Sequence, residues 1–165
     1  MGGIEYAQFG LCHTAGKPIN HVGQLSKHTF NLFPAIDVLQ HDITQEIRVK
    51  GAHYNKILEF STPDESYIAR RIGWGRDRLD ADELPRYKVS FYAVGLVPLP
   101  GSSPEALRDK LGFAPDAPLY REMKPPRLHS DVVYCDDDMR INFGVMGGVY
   151  VVRRLLTPGQ SISFT

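Results

Sequence analysis

From residue 42 onward the chain alternates. Ile43, Gln45, Ile47 and Val49 fall on one side, with Thr44, Glu46 and Arg48 on the other. That period of two predicts a strand with one wet face. Lys50-Gly51-Ala52-His53 predicts a turn, and Tyr54 to Phe60 resumes the alternation with Tyr54, Leu58 and Phe60 together, so the two segments are expected to form a β-hairpin. A third strand is predicted from Tyr67 to Trp74, with Ile68, Ile72 and Trp74 on one face. Asp77 to Pro85, rich in acid and closed by proline, is expected to be a solvated connection. The fourth strand, Arg86 to Val94, sets Tyr87, Val89, Phe91 and Ala93 against Arg86, Lys88 and Ser90.

One helix is predicted near residues 104–111. Ser103 can cap it, Pro104 suits its first position, Glu105 complements its dipole and Gly112 can stop it. Residues 114–127 carry four prolines and are expected to form an ordered strap, since proline cannot serve a central strand. The chain closes with Ser130 to Tyr134, a Cys135-Asp136-Asp137 turn, Met139 to Phe143, a glycine-rich turn, and Gly148 to Leu155. Residues 1–35 are poorly patterned and 156–165 read as a tail. At least six short strands and one helix predict a mainly β, antiparallel meander over 36–155. Such a sheet tends to curl and close, which removes exposed edges; barrels of about eight strands can enclose one small ligand.

The chain is 165 residues long, enough for one domain with a sizeable core. Its 19 basic and 19 acidic residues cancel, which argues against nucleic acid as a partner. The pairs Arg70-Arg71 and Arg153-Arg154 do not change this, because neighbours on a strand point to opposite faces. Cys12 and Cys135 lie far apart, outside any CxxC spacing, and are expected to be reduced thiols. No apolar run approaches the ~20 residues that cross a bilayer. The N-terminus lacks the regions of a secretory signal and the Arg/Ser-rich composition of a transit peptide, so any organelle address would lie outside this numbering.

Candidate chemistry is sparse. His13, His21, His28, His41, His53 and His129 show no metal-ligand spacing, although one His ligating a chlorophyll-like macrocycle would leave no spacing signature. Asp136-Asp137-Asp138 lacks the EF-hand pattern and is expected to be a turn former. No GxSxG elbow occurs, and the glycines of 144–148 join two strands rather than cradle a phosphate. No catalytic residue, metal site or required cofactor is assigned. The aromatics are more informative: Trp74, Tyr87 and Phe91 are expected to meet in the interior, either filling it or lining a ligand cavity. Arg140, between Met139 and Ile141, would need a partner if it points inward. Asp138, two residues away on the same face, and Glu59 are the candidates.

The run Tyr134-Cys135-Asp136-Asp137-Asp138-Met139-Arg140-Ile141, followed by Gly144, Gly147-Gly148 and Val149-Tyr150-Val151-Val152, resembles the closing motif of the plastid lipid-associated proteins, the fibrillins. Two other stretches agree in order: residues 38–45 followed by Tyr54-Asn55-Lys56-Ile57-Leu58-Glu59-Phe60, and Arg86-Tyr87-Lys88-Val89-Ser90-Phe91. Asn142-Phe143 stands where the family has a basic residue before glycine, and the family's Trp-containing opening strand is not evident in residues 4–12. The resemblance implies a lipocalin-like barrel, complete or lacking its N-terminal strand. It further implies a plastid (chloroplast) protein, peripheral to thylakoid or plastoglobule, that binds a hydrophobic molecule without catalysis. A lipid, carotenoid, quinone or chlorophyll would be the bound species. It also turns Arg140 toward the interior, where Asp138 and Arg140 would latch the closing hairpin. The competing expectation is a scaffolding subunit of a larger thylakoid membrane complex, touching membrane-associated proteins through its straps and outer surface.

Overall fold

The apolar alternation is realised as one ten-stranded antiparallel sheet in a computed structural model, which describes residues 4–8, 22–48, 52–79, 86–126, 128–145 and 147–154. The elements are β1 (Ile4–Gln8), β2 (Val22–Gln24), α1 (Leu25–His28), β3 (Asp37–Arg48), β4 (His53–Ser61), β5 (Ile68–Leu79), β6 (Arg86–Pro98), α2 (Pro104–Lys110), β7 (Tyr120–Glu122), β8 (Leu128–Cys135), β9 (Met139–Gly144) and β10 (Val149–Arg154). The path runs β1-β10-β9-β8-β6-β5-β4-β3-β2, with β7 on the edge of β6 beyond β8. Because β1 pairs with β10 and also with β3, the curled sheet returns on itself. The opening element therefore lies in residues 4–8, a stretch with no readable pattern. The tail 156–165, Cys12, His13 and His21 lie outside the described residues.

Three bulges bend the sheet, at the shifts Gln40/Ile43, Trp74/Gly75 and Val132/Tyr134. The second matters most. Trp74 pairs with Ala93 and Gly75 with Phe91, so Tyr92 is the extra residue and the faces of β6 swap across it. Tyr87, Val89 and Phe91 point inward; Ala93 points outward, contrary to the unbroken alternation expected. Strand β5 also runs on to Leu79, absorbing part of the predicted 77–85 connection, because Asp77, Arg78 and Leu79 pair with Val89, Lys88 and Tyr87.

One end of the curl is sealed. Val38, Phe60, Ala69, Val94 and Leu96 meet Leu25 and Phe33 from the α1 segment and Leu107 and Leu111 from α2. The helix α2 forms where expected: the Ser103 Oγ accepts from the Ala106 amide at 3.2 Å, Pro104 begins the first turn, and Gly112 leaves it at φ +68°. Helix α1, a single turn, was not predicted. The strap is largely ordered loop, as expected, but contributes β7. The closing hairpin has the expected antiparallel pairing, with Phe143, Ile141 and Met139 opposite Val149, Val151 and Arg153.

Candidate functional site

At the other end of the curl the inner face is aromatic and polar together. Tyr54 from β4 and Tyr87 and Phe91 from β6 are buried with Val89, their rings 5.9–6.1 Å apart in tilted and edge-on contacts. Ile47, Leu128 and Val132 pack against this cluster yet remain only partly buried. Of the three aromatics expected in the interior, Tyr87 and Phe91 are there.

Trp74 is not; this corrects the sequence reading. It is 5% exposed, but its ladder partners Asn55 and Ala93 put it on the opposite face of the sheet from Tyr54 and Phe91. There it packs with Ile72 and Ala93 beneath Tyr120 of the strap, ring centroids 5.9 Å apart. Gly95 makes the room: a Cβ there would stand 2.6 Å from the indole Cη2. The apolar side of β5 is its outer side, covered by β7. Its inner side reads Ala69, Arg71, Gly73, Gly75 and Asp77, a series that hydropathy alone assigns to solvent.

Arg140 is buried, as expected, at 8% exposure. Neither Asp138 nor Glu59 is the partner seen. The Arg140 Nη2 donates to the Gln45 Oε1 across the interior, and the guanidinium lies over the Tyr87 ring, 5.3 Å from its centroid. Asp138 is exposed and takes part through its backbone, its carbonyl accepting from the Arg154 amide at 2.7 Å. The side chain that organises the turn is Asp136, whose Oδ1 accepts from the amides of Asp138 and Met139 at 2.9 and 2.7 Å. Glu59 instead meets Arg70 on the outer face, 3.7 Å apart.

Electrostatics follow from this placement. Burial pushes the Tyr54 phenol well above its ordinary range, the neighbouring Tyr87 adds to this, and Arg140 opposes it. Burial also raises the Asp77 carboxyl, against the pull of Arg140 and His53. Lys56, the next inward residue after Tyr54, sits over the Tyr150 ring at 5.1 Å. Arg71 is also buried on this face. The interior therefore gathers Gln45, Tyr54, Lys56, Arg71, Asp77 and Arg140. Only Arg140 was singled out beforehand, and the signal for the rest was their shared parity with Tyr54 and Phe91.

No family model, curated protein or solved structure matches the chain. The chemistry must be read from the site itself. Among the described residues no three His, Cys, Asp or Glu side chains are grouped to hold a metal ion, and no helix is long and apolar enough to cross a membrane. Cys135 is exposed, and the His28 and His41 rings are engaged with Gln40 and Ser61 at 2.8 and 2.9 Å.

Proposed function

We propose that the chain binds a hydrophobic small molecule (a lipid, carotenoid or quinone) inside the curl and does no chemistry on it. The observation that carries this reading is the contrast between the two ends. One is filled by helices and tightly packed apolar side chains; the other is walled by Tyr54, Tyr87 and Phe91, with Ile47, Leu128 and Val132 incompletely covered. A wall of this kind suits an apolar guest with few polar fixing points. The fibrillin-like closing hairpin supports the same function and would put the protein at a thylakoid or plastoglobule surface in the plastid. The test is to purify the protein under mild conditions, extract it with organic solvent, and identify the extract by mass and absorption spectrum. A stoichiometric apolar molecule supports the proposal. It fails if the stripped protein takes up no phospholipid, carotenoid or quinone.

A second reading, a scaffolding subunit of a thylakoid membrane complex, draws on the exposed Val133, Tyr134, Phe143 and Val145 around β8 and β9. Co-migration of the protein with a large complex that Phe143→Ser abolishes would favour it.

A further inference from the structure

Arg71 is 5% exposed, yet the described residues around it do not answer its charge. Its Nη1 donates to the Lys56 carbonyl at 3.2 Å, while its Nε is buried with no hydrogen-bond partner. Among the described residues no carboxylate reaches it. Burial draws its pKa down to about 10, and what opposes the shift is the Tyr54 phenol. Simple packing does not account for the residue. Methionine or leucine would fill the same space without desolvating a cation, and a buried charge left unpaired is among the costliest features a fold can carry.

The surroundings are those of an anion site. Arg71 and Phe91 both lean over Gly73, where a Cβ would stand 3.3 Å from the Arg71 Nη1 and from the Phe91 Cδ1. The Phe30 ring approaches from the α1 loop, 6.0 Å from the guanidinium carbon and 5.9 Å from the Phe91 ring. Aromatic cover on this side lowers the local dielectric and strengthens any charge-assisted bond made there. Among the described residues the inward-facing charge is mostly positive: Lys56, Arg71, Arg140 and Arg154, against Asp77. Because Nη1 is engaged and Nε is not, the Nε–Nη2 edge of the fork has the planar, two-donor geometry that suits a carboxylate.

We infer that the interior binds a long-chain carboxylate amphiphile, its headgroup held by the guanidinium of Arg71 and its chain laid along the Tyr54–Tyr87–Phe91 wall. This rests on the proposal that the curl holds a hydrophobic molecule, and names the class of that molecule.

The experiment uses the full chain stripped of lipid, titrated with oleate, methyl oleate and oleyl phosphate in a fluorescent-probe displacement assay. Wild type is expected to bind oleate at least about tenfold more tightly than methyl oleate, the difference a charge-assisted pair supplies. In Arg71→Met that preference should vanish, while an unchanged circular-dichroism spectrum reports an intact fold. Arg71→Lys, keeping the charge but losing the fork, should lower the preference and guards against a folding defect in the first variant. Equal wild-type affinity for oleate and its methyl ester overturns the inference and leaves hydrophobic binding standing. So does an Arg71→Met protein that still prefers oleate. Tighter binding of oleyl phosphate than of oleate overturns the carboxylate assignment. If none of the three binds, the proposed function fails and this inference with it.

Discussion

Replacing Arg71 by methionine should make the ligand-free protein more stable. Burial draws the guanidinium pKa well down from its ordinary range, to about 10; at about 1.4 kcal/mol per pH unit, keeping the cation there costs the fold about 3 kcal/mol. The sign follows from the direction. A depressed folded pKa contributes stability above the unfolded value and loses it as pH falls through about 10, so at pH 7 the full cost is in force. The hydrogen bond to the Lys56 carbonyl and the Phe30 ring offset about 1 kcal/mol of this. Methionine fills a similar volume, so the net gain is about 2 kcal/mol, or about 5 °C in Tm for a domain of this size. Urea unfolding of stripped protein at pH 7 reads it as a higher midpoint with unchanged slope. Saturating oleate should reverse the order, because only wild type gains the headgroup interaction. A loss of about 1 kcal/mol or more in the stripped Arg71→Met protein would refute the reasoning, since it would mean that the charge is already paired within the chain.

Arg140→Met should act in the opposite direction. It strands the buried Gln45 Oε1 and removes the cation from the Tyr87 ring, a loss of about 2 kcal/mol on the same urea assay; an unchanged midpoint would count against the latch. Gly95→Ala should destabilise by about 2 kcal/mol, because its Cβ would fall 2.6 Å from a rigid indole. The paired change Trp74→Leu should recover part of that loss, and a double mutant no better than the sum would exclude this contact as the cause. Asp77 carries a raised carboxyl pKa, so the stability it contributes is complete below its unfolded value and lost as pH rises through the folded one. Asp77→Asn should therefore gain on wild type between about pH 4 and pH 7 in thermal melts, and parallel curves would contradict the burial argument.

Much of the architecture is legible in the amino-acid sequence. Alternation from Ile43 to Ile47, the Ser103-Pro104 helix start and the acid and glycine turns around β9 are local signals, and local chemistry carried them into the structure. Arg140, between Met139 and Ile141 in a short strand, could be marked as a cation that would need a partner if it pointed inward, the orientation that the resemblance implied. Its partner could not: Gln45 lies 95 residues away, and only the return of the sheet through β1 brings it across the interior.

Parity along a strand says which residues stand together, and Ile68, Ile72 and Trp74 do share a face. It does not say which face is inside. That depends on what covers the sheet from elsewhere, here the strap and Tyr120, and on one extra residue at Tyr92 that inverts the register of β6. Arg71 escaped notice for the same reason. Flanked by Arg70 and followed by Gly73 and Gly75, it reads as a solvent-facing cation. Only the tertiary fold turns that polar, glycine-lined side of β5 inward and leaves a guanidinium there with a donor to spare.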